Sequence, residues 1–262
     1  MSRNEILTDF YSNHCDEEIR LIKNKQHTIE FLTTIRYIDK YLKSGDKILE
    51  IGAGTGRYSL HYASKGYEVN AIEYVQHNLD VLNSKIKKDY KIKAEQGDAI
   101  DLSRFDDNTF DMTLCFGPLY HLYNDDDINK AISEAVRVTK PDGIIMFAFL
   151  TSDSIMIDWA LSDHHLIDGY GKDFDENFKM NRAEEYVFTA FYIKEFKEMM
   201  EKYNIKYITS VATDGISNHV EDRINDLNDE EFEMWLKYHY SICEREDLQG
   251  FSNHMLYICK KK

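Results

Sequence analysis

The chain has 262 residues, enough for one large domain or one domain with a sizeable insertion. Its 47 acidic and 32 basic residues give a net charge of −15, which argues against a nucleic-acid surface, because phosphate binding is driven by clustered Lys and Arg. Four scattered cysteines without a C-x-x-C pair argue against a disulfide framework or metal centre. The polar N-terminus lacks a signal core, and the longest apolar run, residues 143–150, is too short to span a bilayer; a cytoplasmic protein with no membrane partner is expected.

Residues 1–44 carry Ile19, Ile22, Ile29, Leu32, Ile35 and Ile38 at near-helical spacing, so helices broken near residues 24–27 are expected. Ser44-Gly45-Asp46 closes this segment. There follows K-I-L-E-I-G-A-G-T-G-R-Y-S-L at 47–60, the stretch around which the rest is organised. Residues 47–51 read as a buried parallel strand, and residues 58–63 turn helical. Between them Gly52, Gly54 and Gly56 permit a tight turn and close approach of a ligand, and the helix N-terminus offers N–H groups to an anion. A dinucleotide fingerprint would need a third glycine where Arg57 stands, and a carboxylate at Glu50 repels a pyrophosphate. Both features disfavour an NAD-dependent oxidoreductase.

The E-x-G-x-G-x-G loop resembles motif I of the class I S-adenosylmethionine (SAM) dependent methyltransferases. The resemblance implies a Rossmann-like α/β sandwich with a seven-stranded, mostly parallel sheet in the order 3-2-1-4-5-7-6 and helical cover and insertions. SAM, leaving as S-adenosylhomocysteine, would lie across the carboxyl ends of strands one, two and four. Glu50 would face its methionine ammonium group, and the loop amides of Gly52, Ala53, Gly54 and Gly56 its carboxylate, with Tyr58 opening the helix. In small-molecule members an N-terminal helical segment covers the cleft, which makes Tyr11, His14 and Arg20 candidates for that cover. An amphipathic helix with polar residues outward is the competing reading for each.

Residues 68–73 read as the second strand, ending in Glu73, an acid placed to accept from ribose hydroxyls in nucleotide-binding α/β folds; Tyr74 could pack on the adenine. Lys85-Ile86-Lys87-Lys88 is the solvated end of a helix. Residues 92–94 lead to Gln96-Gly97-Asp98-Ala99, where the family pattern implies that Asp98 and the Ala99 amide meet the adenine. Residues 110–116 form the fourth strand, ending in Cys115 and Phe116 beside the glycine loop at the topological switch point. The following G-P-L-Y-H-L resembles the loop of bacterial small-molecule methyltransferases of the quinone-biosynthesis type. It departs from the N/D-P-P-Y/F pattern of nucleic-acid amino methylation. Tyr120 and His121 would sit near the transferred methyl, His121 either as a general base or as a structural histidine bonded to the backbone.

Asn124 and the three aspartates after it cap a helix over 128–138 rather than bind metal. A turn at 139–143 and a fifth strand at 144–150 end the stretch, roughly 47–150, that the resemblance covers well. Residues 151–190, with Trp159, His164, His165, Tyr170, Phe174, Phe178 and Phe188, read as a lid whose aromatics line the pocket or form its own small core. His164-His165 lacks a partner at metal-ligand spacing. A helix over 193–203, a sixth strand over 205–211, a polar helical insertion within 215–248 broken near Asn228, and a closing strand over 251–259 complete one decorated domain, 1–262. The expected activity is methyl transfer from SAM to a small-molecule acceptor. A non-catalytic SAM-binding protein and a protein or RNA methyltransferase are the alternatives. Oligomeric state does not follow from these residues.

Overall fold

Short apolar runs rich in β-branched residues alternate with amphipathic stretches, the pattern of a parallel sheet with helices on both faces. The computed structural model describes residues 2–183 and 185–262. Met1, at the head of the expected cover, and Glu184, inside the expected lid, lie outside the described residues. The segment expected to be a cover holds α1 (Arg3–Asp9), a π-helical turn (Phe10–His14), a 3-10 turn (Arg20–Ile22) and α2 (Lys25–Tyr41). Ser2 and Glu5 close a capping box on α1, and Asn24 caps α2, so both breaks carry their own stop-and-start chemistry. The core then runs β1 (Lys47–Ile51), α3 (Arg57–Ser64), β2 (Glu68–Glu73), α4 (Gln76–Ser84), β3 (Ile92–Gln96), β4 (Phe110–Cys115), α5 (Asp125–Val138) and β5 (Thr139–Leu150). After it come α6 (Ser152–Ile155), a π-helical turn (Met156–Leu161), α7 (Leu166–Gly169), α8 (Ile193–Met200), β6 (Ile205–Ala212), α9 (Glu221–Asn225), α10 (Asp229–Ile242) and β7 (His254–Lys261).

The strands form one sheet in the order β3-β2-β1-β4-β5-β7-β6, as the resemblance implied. β7 alone runs antiparallel, against β5 on one side and β6 on the other. Leu49, Leu114, Phe147 and Ile258, from four neighbouring strands, are fully buried. Against the sheet α5 lays a stripe of Ile128, Ala131, Ile132, Ala135 and Val138, all buried. Each isoleucine in that stripe contributes about 2 kcal/mol of burial free energy. Asn124 accepts the Asp127 amide at 2.8 Å, which starts α5 one turn earlier than its apolar spacing suggests.

One boundary differs in kind from expectation. The turn expected at 139–143 is a bulge inside β5: Phe110 pairs with Thr139, while Met112 pairs with Ile144. Asp142 takes φ +64° within it. The Thr139 hydroxyl donates to the Ala135 carbonyl at 2.6 Å and lies 2.7 Å from the Thr113 hydroxyl, so helix passes directly into strand without an orphaned polar group.

The segment expected to be a lid is tied to the core where Thr151 bridges Phe191 and the Thr189 amide donates to the Tyr120 carbonyl, in the turn after β4, at 2.8 Å. Phe174 is fully buried inside it, against Trp159 and His165. Lys85, just past the end of α4, pairs with Glu18, and Arg57 donates to the Glu18 carbonyl at 2.6 Å, so these two cations tie the core to the N-terminal segment, while Lys87 and Lys88 of the basic run are exposed. The carboxyl ends of β1, β2, β4 and β5 and the amino end of β7 share one edge of the sheet. The pairing of Leu150 with His254 fixes the last of these.

Candidate functional site

That edge opens into a cavity of about 550 Å³, within the range of small-molecule sites. Fourteen of the sixteen site residues named from sequence lie in its wall: Tyr11, Arg20, Glu50, Gly52, Ala53, Gly54, Tyr58, Glu73, Tyr74, Asp98, Ala99, Phe116, Tyr120 and His121. Gly56 and Cys115 do not. A Cβ on Gly56 would stand 2.7 Å from Leu82, so this glycine (φ +87°) lets the loop pack on α4 and begins α3. Cys115 is fully buried in the sheet core, and burial pushes its thiol up to about 12. His14, a further candidate for the cover, points away as well: it pairs with Asp9 at the exposed surface.

The loop itself is over-determined. Gly52 takes φ +79°, and a Cβ there would stand 2.5 Å from the Phe116 carbonyl oxygen and 2.6 Å from Pro118, so only glycine fits between the ends of β1 and β4. The Gly52 and Ala53 amides donate to the Ile72 carbonyl at 2.8 and 3.1 Å. The Gly54 amide donates to Glu73 Oε2 at 2.7 Å, and the Val75 amide to Oε1 at 2.9 Å. The amides expected to face a ligand carboxylate therefore have partners within the protein, and Glu73 is fixed by two of the chain's own N–H groups.

Both motif acids are buried and strained electrostatically. Burial pushes Glu50 up to about 8 against the Ser59 hydroxyl that donates to it, and pushes Glu73 up to about 7 against its backbone donors. Glu17 and Glu30 reach the same cavity from the cover, and Asp98 and Asp214 from the sheet edge. Against these stand Arg3, Arg20 and Arg57. Arg20 donates to Glu17 at 3.1 Å and to Glu30 at 2.8 Å; Arg3 pairs with Asp98 and lies 4.6 Å over the Tyr74 ring. The acid excess favours a cationic ligand.

His121 is tied down. Its Nδ1 lies 2.7 Å from the Val187 carbonyl, to which it must donate, leaving Nε2 to accept the Tyr11 hydroxyl at 2.9 Å. Burial lowers its pKa to about 4, so the ring is neutral. Of the two roles left open by the sequence, this geometry matches the structural one, a post joining the cover, the β4–α5 loop and the lid. Burial raises the Tyr120 hydroxyl, which lies near Gly117. Trp159 and Phe188 line the cavity with Ile155 and Met180, while Phe174 and His165 form the lid's inner core and Tyr170 and Phe178 pair at the exposed surface.

Sequence reasoning missed Arg3, Glu17, Glu30, Asp214 and His254. No local motif marks them; the only signal was position, Asp214 directly after one apolar strand and His254 at the head of another. His254 Nδ1 lies 2.9 Å from Asp214 Oδ2 and 3.5 Å from Glu30 Oε2.

Residues 49–147 match the methyltransferase domain family. A putative methyltransferase of Bacillus subtilis is 29% identical over 112 residues, 43% of this chain and 45% of the relative. A demethylmenaquinone methyltransferase of Clavibacter sepedonicus is 36% identical over 104 residues, 39% of this chain and 40% of the relative. The chain thus spans less than half the length of the curated relatives it matches. A SAM-dependent methyltransferase of Thermotoga maritima, described as a possible histamine N-methyltransferase, superposes with a TM-score of 0.57 at 16% identity over 98% of this chain and 99% of that one.

Proposed function

We propose that the chain, a class I SAM-dependent methyltransferase by fold and by its domain match, transfers the methyl group of SAM to a small, largely apolar acceptor. The observation that carries this reading is one continuous cavity with two unlike ends. Glu50, Gly52, Gly54, Glu73 and Asp98 line it on the side of β1–β3, and Trp159, Met180 and Phe188 line it from the lid. An acid-rich end suits a cofactor carrying sulfonium and ammonium charges; an aromatic end suits a flat apolar acceptor and excludes water. Sulfonium is already a good leaving group, so the protein's work is positioning, desolvation and, where the acceptor bears a proton, its removal.

In this reading Glu73 accepts from the ribose hydroxyls, exchanging its bond to the Gly54 amide for them. Asp98 and Ala99 meet the adenine edge, and Tyr74 its face, where Arg3 now lies. Residues 1–44 act as the cover, and 151–190 and 215–248 as the lid. The quinone-type acceptors of the Clavibacter relative fit the aromatic end, whereas the −15 charge and the acidic cavity disfavour a nucleic-acid acceptor. No helix among the described residues is long and apolar enough to cross a membrane, and all four cysteines are free, which suits a reducing compartment such as the cytoplasm.

Calorimetric titration of SAM, with NAD as control, tests the cofactor assignment on wild type and Glu73→Ala. SAM should bind and NAD should not, and the variant should weaken SAM about 10- to 100-fold, as expected for losing charge-assisted hydrogen bonds. Absence of SAM binding would sink the assignment.

A further inference from the structure

β6 ends at Ala212 and β7 begins at His254, and the two strands are antiparallel neighbours, so Asp214 and His254 meet at the edge of the sheet that bears the cavity. A ring nitrogen 2.9 Å from one carboxylate and 3.5 Å from another carries the proton and donates it. In the neutral ring the lone pair then resides on Nε2. Among the described residues nothing hydrogen-bonds that nitrogen, and the side chain, 20% exposed, forms part of the cavity wall. The Tyr120 ring stands edge-on, 6.4 Å away. Asp214 is itself locked: its Oδ1 accepts the Asn253 amide at 3.0 Å and the Ser252 hydroxyl at 2.5 Å. Burial alone would raise its pKa, but His254 and Ser252 outweigh that and hold it below the ordinary carboxylate range.

We propose that His254 is the general base of the methyl transfer, set in its Nε2-unprotonated tautomer by the positioning residues Asp214 and Glu30, and that the acceptor is an aromatic hydroxyl. The inference rests on the methyltransferase reading above. Nε2 takes the hydroxyl proton as the oxygen attacks the methyl carbon; the carbon–sulfur bond breaks and its electron pair stays on sulfur. The products are the aryl methyl ether, neutral S-adenosylhomocysteine and an imidazolium, which returns its proton to solvent. Leu150, Ile155, Trp159, Met180 and Phe188 supply the flat apolar surface for the ring that carries the hydroxyl. His121 cannot do this work, since both its nitrogens are engaged. Glu30, Asp214 and His254 also bring donor atoms within 4.8 Å of one another, as a cation would need. Those donors are already committed, Glu30 to Arg20 and Asp214 to the Ser252 hydroxyl, the Asn253 and His254 amides and His254 Nδ1, so the cluster is built to hold a proton.

The base has a definite pH signature. Burial alone would lower the His254 pKa, but Glu30 from α2 and Asp214 from the β6 end outweigh it, and Arg20 opposes them; Tyr120 faces the ring from the β4–α5 loop. The net shift is upward, so kcat/KM should fall on the acid side with a limb above the ordinary histidine value.

The test measures transfer of labelled methyl from SAM to two probes, catechol and 1,4-naphthohydroquinone, the latter without oxygen. At least one should be methylated. His254→Ala should lower kcat about 100-fold or more, abolish the acid limb and recover activity with added imidazole. SAM affinity should change less than about threefold, which separates loss of the base from loss of binding. His254→Gln, which keeps a polar side chain of similar reach, should be equally inactive and guards against a misfolded alanine variant. Asp214→Asn should lower kcat and displace the acid limb. Absence of SAM binding would fell the methyltransferase reading itself. SAM binding without methylation of either probe, or a His254 variant that keeps kcat and its acid limb, would overturn this inference and leave the cofactor reading intact. Activity abolished by a chelator and restored by magnesium would overturn it too.

Discussion

Glu50 and Glu73 show how a residue readable from a motif acquires its working property only from the fold. The glycine loop identifies both acids, but their near-neutral pKa values come from burial between β1, β2 and the cover. Because each carboxyl binds its proton more tightly in the folded state than at its ordinary value near 4.5, the folded state holds more protons from there upward. Their contribution to stability is therefore full below pH 4.5 and is lost as pH rises toward about 8, so the ligand-free protein should become less stable across that window. A cationic ligand reverses the balance by favouring the ionised acids. SAM should bind more tightly as pH rises from about 6 to 8 and release protons at pH 7. Calorimetry in two buffers of different ionisation enthalpy counts those protons, and Glu50→Gln should release fewer. A pH-independent affinity would contradict this coupling of ligand binding to the two buried acids.

At the scale of elements, the glycine loop is both the clearest sequence signal and the tightest joint in the fold. Gly52→Ala would push a methyl group onto the Phe116 carbonyl and Pro118, neither of which is a flexible side-chain end. Gly66 has a similar φ of +90° but open space around it. Chemical denaturation should therefore rank the two: Gly66→Ala costs about 1 kcal/mol for left-handed strain alone, and Gly52→Ala adds about 1–3 kcal/mol of overpacking. Equal losses would show that the loop can yield. The same contrast explains what the sequence made legible. Strands β1, β2 and β4, the capped helices and the acids at strand ends announce themselves through contiguous residues. The bulge at 140–143 does not, because Lys-Pro-Asp-Gly reads as a turn whether or not pairing resumes across it. Asp214 and His254 are 40 residues apart, and only the antiparallel pairing of β6 with β7 joins them. His121 lines the cavity, but its bond to the Val187 carbonyl comes from a segment with no periodic pattern to locate it in the sequence.

For the whole molecule, the function proposed above implies that cofactor binding is coupled to residues 3–41. Glu17, Arg20 and Glu30 form a chain of ion pairs within the cover, and Tyr11 reaches His121 on the β4–α5 loop; all line the cavity. A ligand seated on the glycine loop is enclosed between sheet and cover, so binding should stabilise the assembled form rather than the sheet alone. SAM at about 100 times its dissociation constant adds about 2.7 kcal/mol, which for a chain of this size corresponds to a Tm rise of about 5–10 °C. Arg20→Ala leaves Glu17 without its guanidinium partner and Glu30 with His254 in place of Arg20, which should loosen residues 3–22 over the acids proposed to hold the ligand. A tenfold weaker affinity would cut the rise at the same SAM concentration to about half. Hydrogen exchange locates the effect: SAM should slow exchange in residues 3–22 of the wild type and much less in Arg20→Ala, while β1 and β4 exchange alike in both. If SAM protects residues 3–22 equally in the variant, Arg20 is a surface clamp on a cover that closes without it.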